Sequence, residues 1–239
     1  MLDPADITRV LAVAAHPDDL DFGSAGTIAG LTARGVEVTY CVCTDGDAGG
    51  FDPDVPRSEI PTIRRDEQRA AAAVLGVTDV RFLGYPDGAL EPTLALRRDI
   101  SRVIRQVQPQ LLIMQSPERT WDRIPASHPD HLAAGEATIR AVYPDARNQF
   151  AHPELAAEGL EPWSVLEVWV SGHPVADHYV DITDTFDAKV RALREHVSQT
   201  AHLSELADFL RGWATTGAAA ARLPEGRLVE SFFARAMPQ

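Results

Sequence analysis

Lysine is nearly absent from this chain of 239 residues: Lys189 stands alone, and every other fixed positive charge is an arginine. Acidic residues outnumber basic ones 35 to 22, for a formal net charge of -13. That field disfavours polyanions, which argues against nucleic acid or an anionic membrane surface as a partner. Cysteine is equally scarce. Cys41 and Cys43 lie two apart on an apolar run, where strand alternation turns both to one face. They are too few for a disulfide framework or a cysteine metal set, and read as small core residues in a reducing compartment. No apolar run reaches the roughly 18 residues of a transmembrane helix. The first residues carry Asp3 and Asp6 where a secretory leader has a basic n-region and an apolar stretch. A cytoplasmic protein is expected, with homo-oligomerisation left open.

What is present is ordinary globular composition, 45% hydrophobic and 24% charged, long enough for a sizeable core. The apolar run Val10–Ala15 reads as a buried strand within Thr8–Ala15. A helix beginning near Gly23 or Ser24 is closed by Gly35, and Val36–Cys43 is a second strand. Ile63–Leu75 reads as a helix, Asp79–Leu83 as a short strand, Leu94–Val107 as an amphipathic helix and Leu111–Gln115 as a fourth strand. A polar loop holding Trp121 leads to a helix over His131–Val142, then a long connection over 146–162. Val165–Val170 and Tyr179–Ile182 are further strands. Phe186–Trp213 has helical spacing throughout, with Ser204 able to cap a second helix in it, and the tail Arg227–Phe233 is expected to pack back on the body. Alternation of strand and helix predicts an α/β, Rossmann-like fold: a mostly parallel sheet flanked by helices with right-handed crossovers. Nothing marks a boundary, so residues 1–239 are expected to form a single domain, with 146–239 as an extension of it.

Two polar clusters follow buried runs. His16-Pro17-Asp18-Asp19 ends the first strand, and Ser127-His128-Pro129-Asp130-His131 follows the fourth. In a sheet ordered 3-2-1-4 those strands are neighbours whose helices leave on opposite faces, the crevice where open α/β sheets bind ligands. His16 and Asp19, three apart at a turn, can face one point. Pro129 suits a first helical position, which puts His128 at the cap and His131 one turn inside. His16, Asp19 and His131 then offer two nitrogens and a carboxylate with one position open, an arrangement suited to catalytic Zn2+ and compatible with Fe2+ or another divalent metal. Asp18 can serve as general base, His128 can stabilise an oxyanion or protonate a leaving amine, and Asp130 can orient a histidine. The remaining histidines read as bystanders: His152 and His173 in surface loops, His178 and His202 solvated, His196 packed or on the surface.

At these residues the chain resembles the LmbE-like (PIG-L) superfamily of zinc-dependent N-deacetylases. The stretches that carry the resemblance are Ala15-His16-Pro17-Asp18-Asp19 and His128-Pro129-Asp130-His131. Thr44-Asp45-Gly46-Asp47, the helix with Arg64 and Glu67, Asp181-Ile182-Thr183, and Lys189, His196 and Gln199 add to it. The resemblance implies metal ligands at His16, Asp19 and His131, a base at Asp18, and an electrophilic or acid role for His128 supported by Asp130. It also implies contacts to the sugar or its inositol or phosphate partner from Arg64, and to sugar hydroxyls from Asp87. The implied reaction is hydrolysis of an N-acetyl group on an amino sugar or glycosylated small molecule. An amidase acting on a thiol conjugate is the alternative within the family. One departure stands out. The mycothiol-pathway members carry a tyrosine two residues before His-Pro-Asp-His, and this chain has Ala126 there. Tyr85, Tyr143 or another group could replace it. A nucleotide-binding module is the rival from outside the family, but Gly-x-Gly-x-x-Gly is missing and carboxylates fill the turn where a pyrophosphate would sit.

Overall fold

The apolar run after Thr8 becomes the centre of a seven-stranded sheet in the computed structural model, which describes residues 1–237. The strands are β1 (Arg9–Ala14), β2 (Glu37–Thr44), β3 (Asp79–Tyr85), β4 (Leu111–Gln115), β5 (Glu167–Ser171), β6 (His178–Asp181) and β7 (Val229–Ala236). Their order is β3-β2-β1-β4-β5-β7-β6. The first five are parallel, and β7 runs antiparallel between β5 and β6. The mostly parallel α/β expectation and the 3-2-1-4 order are both met.

The helices are α1 (Asp19–Ala33), α2 (Ile60–Val74), α3 (Leu94–Val107), α4 (Pro129–Arg140), α5 (Pro153–Ala157), α6 (Phe186–Glu195), α7 (Val197–Thr200) and α8 (Leu206–Ala220). Alternate residues of β1 feed two apolar layers, as a period of two requires. Val10, Ala12 and Ala14 pack with Ile28 and Leu31 of α1 and Ala71 and Ala72 of α2. Leu11 and Val13 pack on the other face with Leu96, Ile100 and Ile104 of α3 and Ala134 and Ala137 of α4. A third cluster joins Phe186, Val190 and Leu193 of α6 to Leu206 and Leu210 of α8. Truncating one fully buried side chain such as Ile113 would cost about 2–5 kcal/mol. Cys41 and Cys43 are free thiols facing the α3/α4 layer. Because α1 and α2 cover one face while α3 and α4 cover the other, the crevice opens between the ends of β1 and β4.

Several boundaries differ from the sequence reading. Helix α1 starts at Asp19, before the glycine and serine that look like its cap, because Asp18 adopts a left-handed φ of 93°. Its carbonyl accepts the N–H groups of Asp21 and Phe22, so the helix is entered at once. The helical span from Phe186 is broken at His196 (φ -80°, ψ 60°), whose ring is buried; α8 then continues past Trp213 to Ala220. The tail is a full strand inserted into the sheet, satisfying the edges of β5 and β6. Three histidines read as surface or solvated are packed instead. His152 Nε2 lies 3.2 Å from Asp145, the His173 ring stacks on Phe233, and His178 leans on Trp169. Burial holds the His178 imidazole below its ordinary pKa.

Candidate metal centre

Residue 15 is clamped before the site begins. The Ala15 N–H donates to Gln115 Oε1 at 2.8 Å, and its carbonyl accepts both the N–H and the hydroxyl of Thr44, at 2.8 and 2.9 Å. The ends of β4 and β2 thereby fix where His16 emerges from β1. On the other side, Gly135 lets α4 close directly on the Gln115–Pro117 backbone, where a Cβ would come within 2.8 Å of three backbone atoms. His131, one turn into α4, is carried down to His16.

Three side chains converge. His16 Nδ1 lies 3.3 Å from His131 Nε2 and 3.2 Å from Asp19 Oδ2, and His131 Nε2 lies 3.0 Å from Asp19 Oδ1. The outward nitrogen of each ring is also occupied. His16 Nε2 sits 3.0 Å from Asp87 Oδ1 and 3.2 Å from Asp130 Oδ2, and His131 makes a hydrogen bond to the backbone of Ala126. A ring that donates outward through one nitrogen presents a lone pair through the other, the usual way outer carboxylates and carbonyls orient metal-binding histidines. The two ring nitrogens and the Asp19 carboxylate oxygens thus lie within 3.3 Å of one another, and His128 offers a further nitrogen close to those of His16 and His131, a donor set that fits a divalent cation with nitrogen and oxygen preference.

Charge follows the same pattern. Burial opposes the charged form of His16, yet the carboxylates of Asp19, Asp130 and Asp87 outweigh it and raise its pKa to about 12. Burial likewise opposes a charged His131, and Asp19 raises it nonetheless. Burial works against the Asp19 carboxylate too, but His131 and His16 hold it well below the usual range.

The other expected residues surround this centre. Asp18 reaches its position at a cost, since a non-glycine residue in the left-handed region is worth about 1–3 kcal/mol of strain. Burial, reinforced by Asp19 and opposed by Arg64, raises its pKa to about 6. His128 caps α4 by accepting the Asp130 N–H on Nδ1 at 3.2 Å, which leaves Nε2 as the N–H donor of a neutral ring. Burial first, then His16 and His131, push its pKa down and favour that neutral form. Its ring meets His16 edge-on with centroids 4.9 Å apart. The Asp130 carboxylate, fully buried, serves His16 rather than His128 and accepts the N–H groups of Gly88 and Leu90. Those contacts and His16 lower its pKa against the effect of burial.

Arg64 and Asp87 do not face open space. The Arg64 guanidinium is buried behind Asp18, donating to Asp18 Oδ2 at 3.1 Å, to the Pro17 carbonyl at 2.5 Å and to the Gly46 carbonyl at 3.1 Å. Gly46 has a positive φ of 64° and no side chain, and a Cβ there would collide with the guanidinium. Asp87 divides its carboxylate between His16 and the Ala48 N–H. Neither candidate tyrosine replaces the one missing at Ala126: Tyr85 donates to Asp99 at 2.8 Å, and Tyr143 lies exposed beyond the far end of α4.

The sequence assigns no role in the site to three residues here, although His196 is among those that carry the family resemblance. Gln68, Asp21 and His196 are fully buried and hydrogen-bonded in series behind Asp18. Asp21 had a visible signal, a third carboxylate beside Asp18 and Asp19. Gln68 had none.

Comparison with known proteins identifies relatives of this chain. Residues 11–142 match the PIG-L family profile, described as GlcNAc-PI de-N-acetylase. The chain is 36% identical to the diacetylchitobiose deacetylase of Thermococcus kodakarensis over 81% of its length and 71% of that protein. It is 35% identical to a probable N-acetyl-alpha-D-glucosaminyl L-malate deacetylase of Bacillus cereus, over 82% of this chain and 86% of the other. The structure of N,N'-diacetylchitobiose deacetylase from Pyrococcus horikoshii superposes with a TM-score of 0.88 at 31% identity, covering 98% of this chain and 85% of that one. With two relatives above 30% identity across four-fifths of its length and a family profile spanning both clusters, the chain belongs to the PIG-L (LmbE-like) family of deacetylases.

Proposed function

We propose that this chain is a zinc-dependent N-deacetylase that hydrolyses the acetamide of an N-acetylated amino sugar borne by a small molecule. It would work in the cytoplasm as a single domain spanning 1–239. The observation that carries the reading is the convergence of His16 Nδ1, His131 Nε2 and the Asp19 carboxylate, with Asp18 beside it. Relatives named for diacetylchitobiose and GlcNAc-malate supply the substrate class. No helix among the described residues is long and apolar enough to cross a membrane, and both cysteines are free.

His16, Asp19 and His131 would hold the zinc, or iron(II), whose Lewis acidity lowers the pKa of water to about 7. Asp18 takes the proton from the attacking water, a task suited to a carboxylate whose pKa is lifted to about 6. The water oxygen bonds to the acetamide carbon, and the carbonyl oxygen gains negative charge. His128 meets that charge with its Nε2–H, held as a donor because Nδ1 is engaged by Asp130 N–H. Asp18 then returns its proton to the nitrogen, the C–N bond breaks, and acetate and the free amino sugar leave. Arg64 keeps the Asp18 carboxylate in place. The nucleotide-binding alternative loses ground, because Asp18 and Asp19 occupy the turn that would have to cradle phosphate.

The test is release of free amine and acetate from N-acetylglucosamine oligosaccharides and from GlcNAc conjugated to malate or inositol. Asp18→Asn should lose at least about 10²-fold in kcat, the scale of a missing general base, while retaining bound metal. Full turnover in that variant would remove Asp18 as the base.

A further inference from the structure

Asp18 is held by its backbone as well as by Arg64. Its N–H donates to Gln68 Oε1 at 2.8 Å. The other end of the same amide donates from Nε2 to Asp21 Oδ2 at 2.7 Å. That Asp21 oxygen lies 2.8 Å from His196 Nε2, and Tyr40 approaches Oδ1 at 3.5 Å. Gln68, Asp21, Tyr40 and His196 all have 0% exposure, so hydrogen bonds here are made without competition from solvent.

The chemistry of this row calls for an amide at position 68. Asp18 N–H needs an acceptor and the Asp21 carboxylate needs a donor, and glutamine presents both on one plane. Flipping the amide would set Nε2 against an N–H and Oε1 against a carboxylate. Asp21 is in turn fixed by His196, at the break between α6 and α7. Glu67, next to Gln68, accepts the Ser198 N–H and hydroxyl at 2.7 and 2.6 Å and ties α7 to α2. Asp18, whose φ of 93° is uncommon for a residue with a Cβ, is thereby braced from α2 and from the α6–α7 break at once.

We propose that Gln68, oriented by the buried Asp21–His196 pair, is a positioning residue. It holds the Asp18 amide in its left-handed turn, so that the carboxylate faces the metal centre instead of joining the first turn of α1. The catalytic consequence rests on the deacetylase reading; the structural consequence does not. If Gln68 only filled space between α1 and α2, an apolar residue of its size would serve equally well.

The experiment compares the wild type with Gln68→Met, and with the double variant Gln68→Glu, Asp21→Asn. The double variant exchanges the carboxylate and the amide and restores a complementary donor and acceptor between positions 68 and 21, with neutral His196 accepting on Nε2 from the new amide at 21. Crystal structures of the zinc-loaded proteins should find residue 18 out of the positive-φ region in Gln68→Met and back in it in the exchange variant. On an acetamido sugar, Gln68→Met should lose about 10–100-fold in kcat, the scale of a misplaced group. KM and zinc content should stay within about twofold, since substrate binding is untouched, and the exchange variant should recover most of the loss. In the wild type itself, the Asp18 amide hydrogen should exchange as slowly as the core amides of α1. A Gln68→Met structure with φ near 93° at residue 18, wild-type kcat in that variant, or a fast-exchanging Asp18 amide would each overturn the proposal. A wild type inactive on every acetamido sugar would instead sink the deacetylase reading, and the backbone of residue 18 would still decide the positioning claim.

Discussion

The single lysine of the chain is buried, and its removal should be felt throughout the fold. Lys189 Nζ donates to Glu230 Oε1 at 2.6 Å and to the Phe22 carbonyl at 2.7 Å. Glu230 in turn accepts the N–H groups of Gly26 and Thr27 inside α1, at 3.0 and 2.7 Å. Both side chains are about 5% exposed, and they join β7 to α1 and α6. Lys189→Met keeps the length and apolar stem of the side chain. It leaves a buried carboxylate without its counter-charge and a helix carbonyl without a donor. Breaking one partner of such a pair costs about 3–5 kcal/mol. At roughly 2–4 °C per kcal/mol for a domain of this size, the melting temperature should fall by about 6–20 °C. Differential scanning calorimetry measures it directly. Adding Glu230→Gln should recover part of the loss, because an amide can still accept from the α1 backbone while the stranded charge is gone. A shift of less than about 2 °C in Lys189→Met, below the cost of even one orphaned buried group, would mean that the Lys189–Glu230 pair does not hold β7 to α1.

Other consequences can be checked as simply. Gly135→Ala would drive a methyl to 2.7 Å from the Gln115 carbonyl oxygen and the Pro117 nitrogen. It should cost about 1–3 kcal/mol by forcing α4 off β4, and because α4 carries His131 it should weaken metal retention in equilibrium dialysis. Burial lifts the Cys41 thiol from its ordinary value to about 12 and raises that of Cys43 well above its ordinary value too. Neither should react with a thiol reagent at pH 8 until the chain unfolds. Both thiols release protons earlier when unfolded than when folded, so their contribution lowers stability as pH rises above about 9, visible as a falling urea midpoint. Rapid labelling of native protein would show that the α3/α4 layer is open.

The 3-2-1-4 order of the first four strands was legible because β1, β2 and β4 are short apolar runs closed by turn residues and alternating with helices. The meeting of His16, Asp19 and His131 was legible because these residues sit at the ends of two such runs. The remainder depended on contacts distant in sequence. The start of α1 depends on the left-handed backbone of Asp18, stabilised by Gln68 fifty positions away, whereas Gly23 and Ser24 carry the local look of a cap. Helical spacing runs uninterrupted through His196, and only its burial against Asp21 explains the break. Strand β7 exists because β5 and β6 leave edges to be paired. The resemblance places Arg64 against the sugar or its inositol or phosphate partner, and only the folded chain shows its bonds to Pro17, Asp18 and Gly46.

The central claim is that His16, Asp19 and His131 hold a metal ion, and elemental analysis of the purified chain tests it most directly. The wild type should carry about one zinc or iron per chain, in keeping with a single three-ligand site, and His16→Ala should lose it without a change of fold by circular dichroism. A wild type that takes up no divalent metal even after zinc loading, or a His16→Ala variant that keeps its full complement, would contradict it.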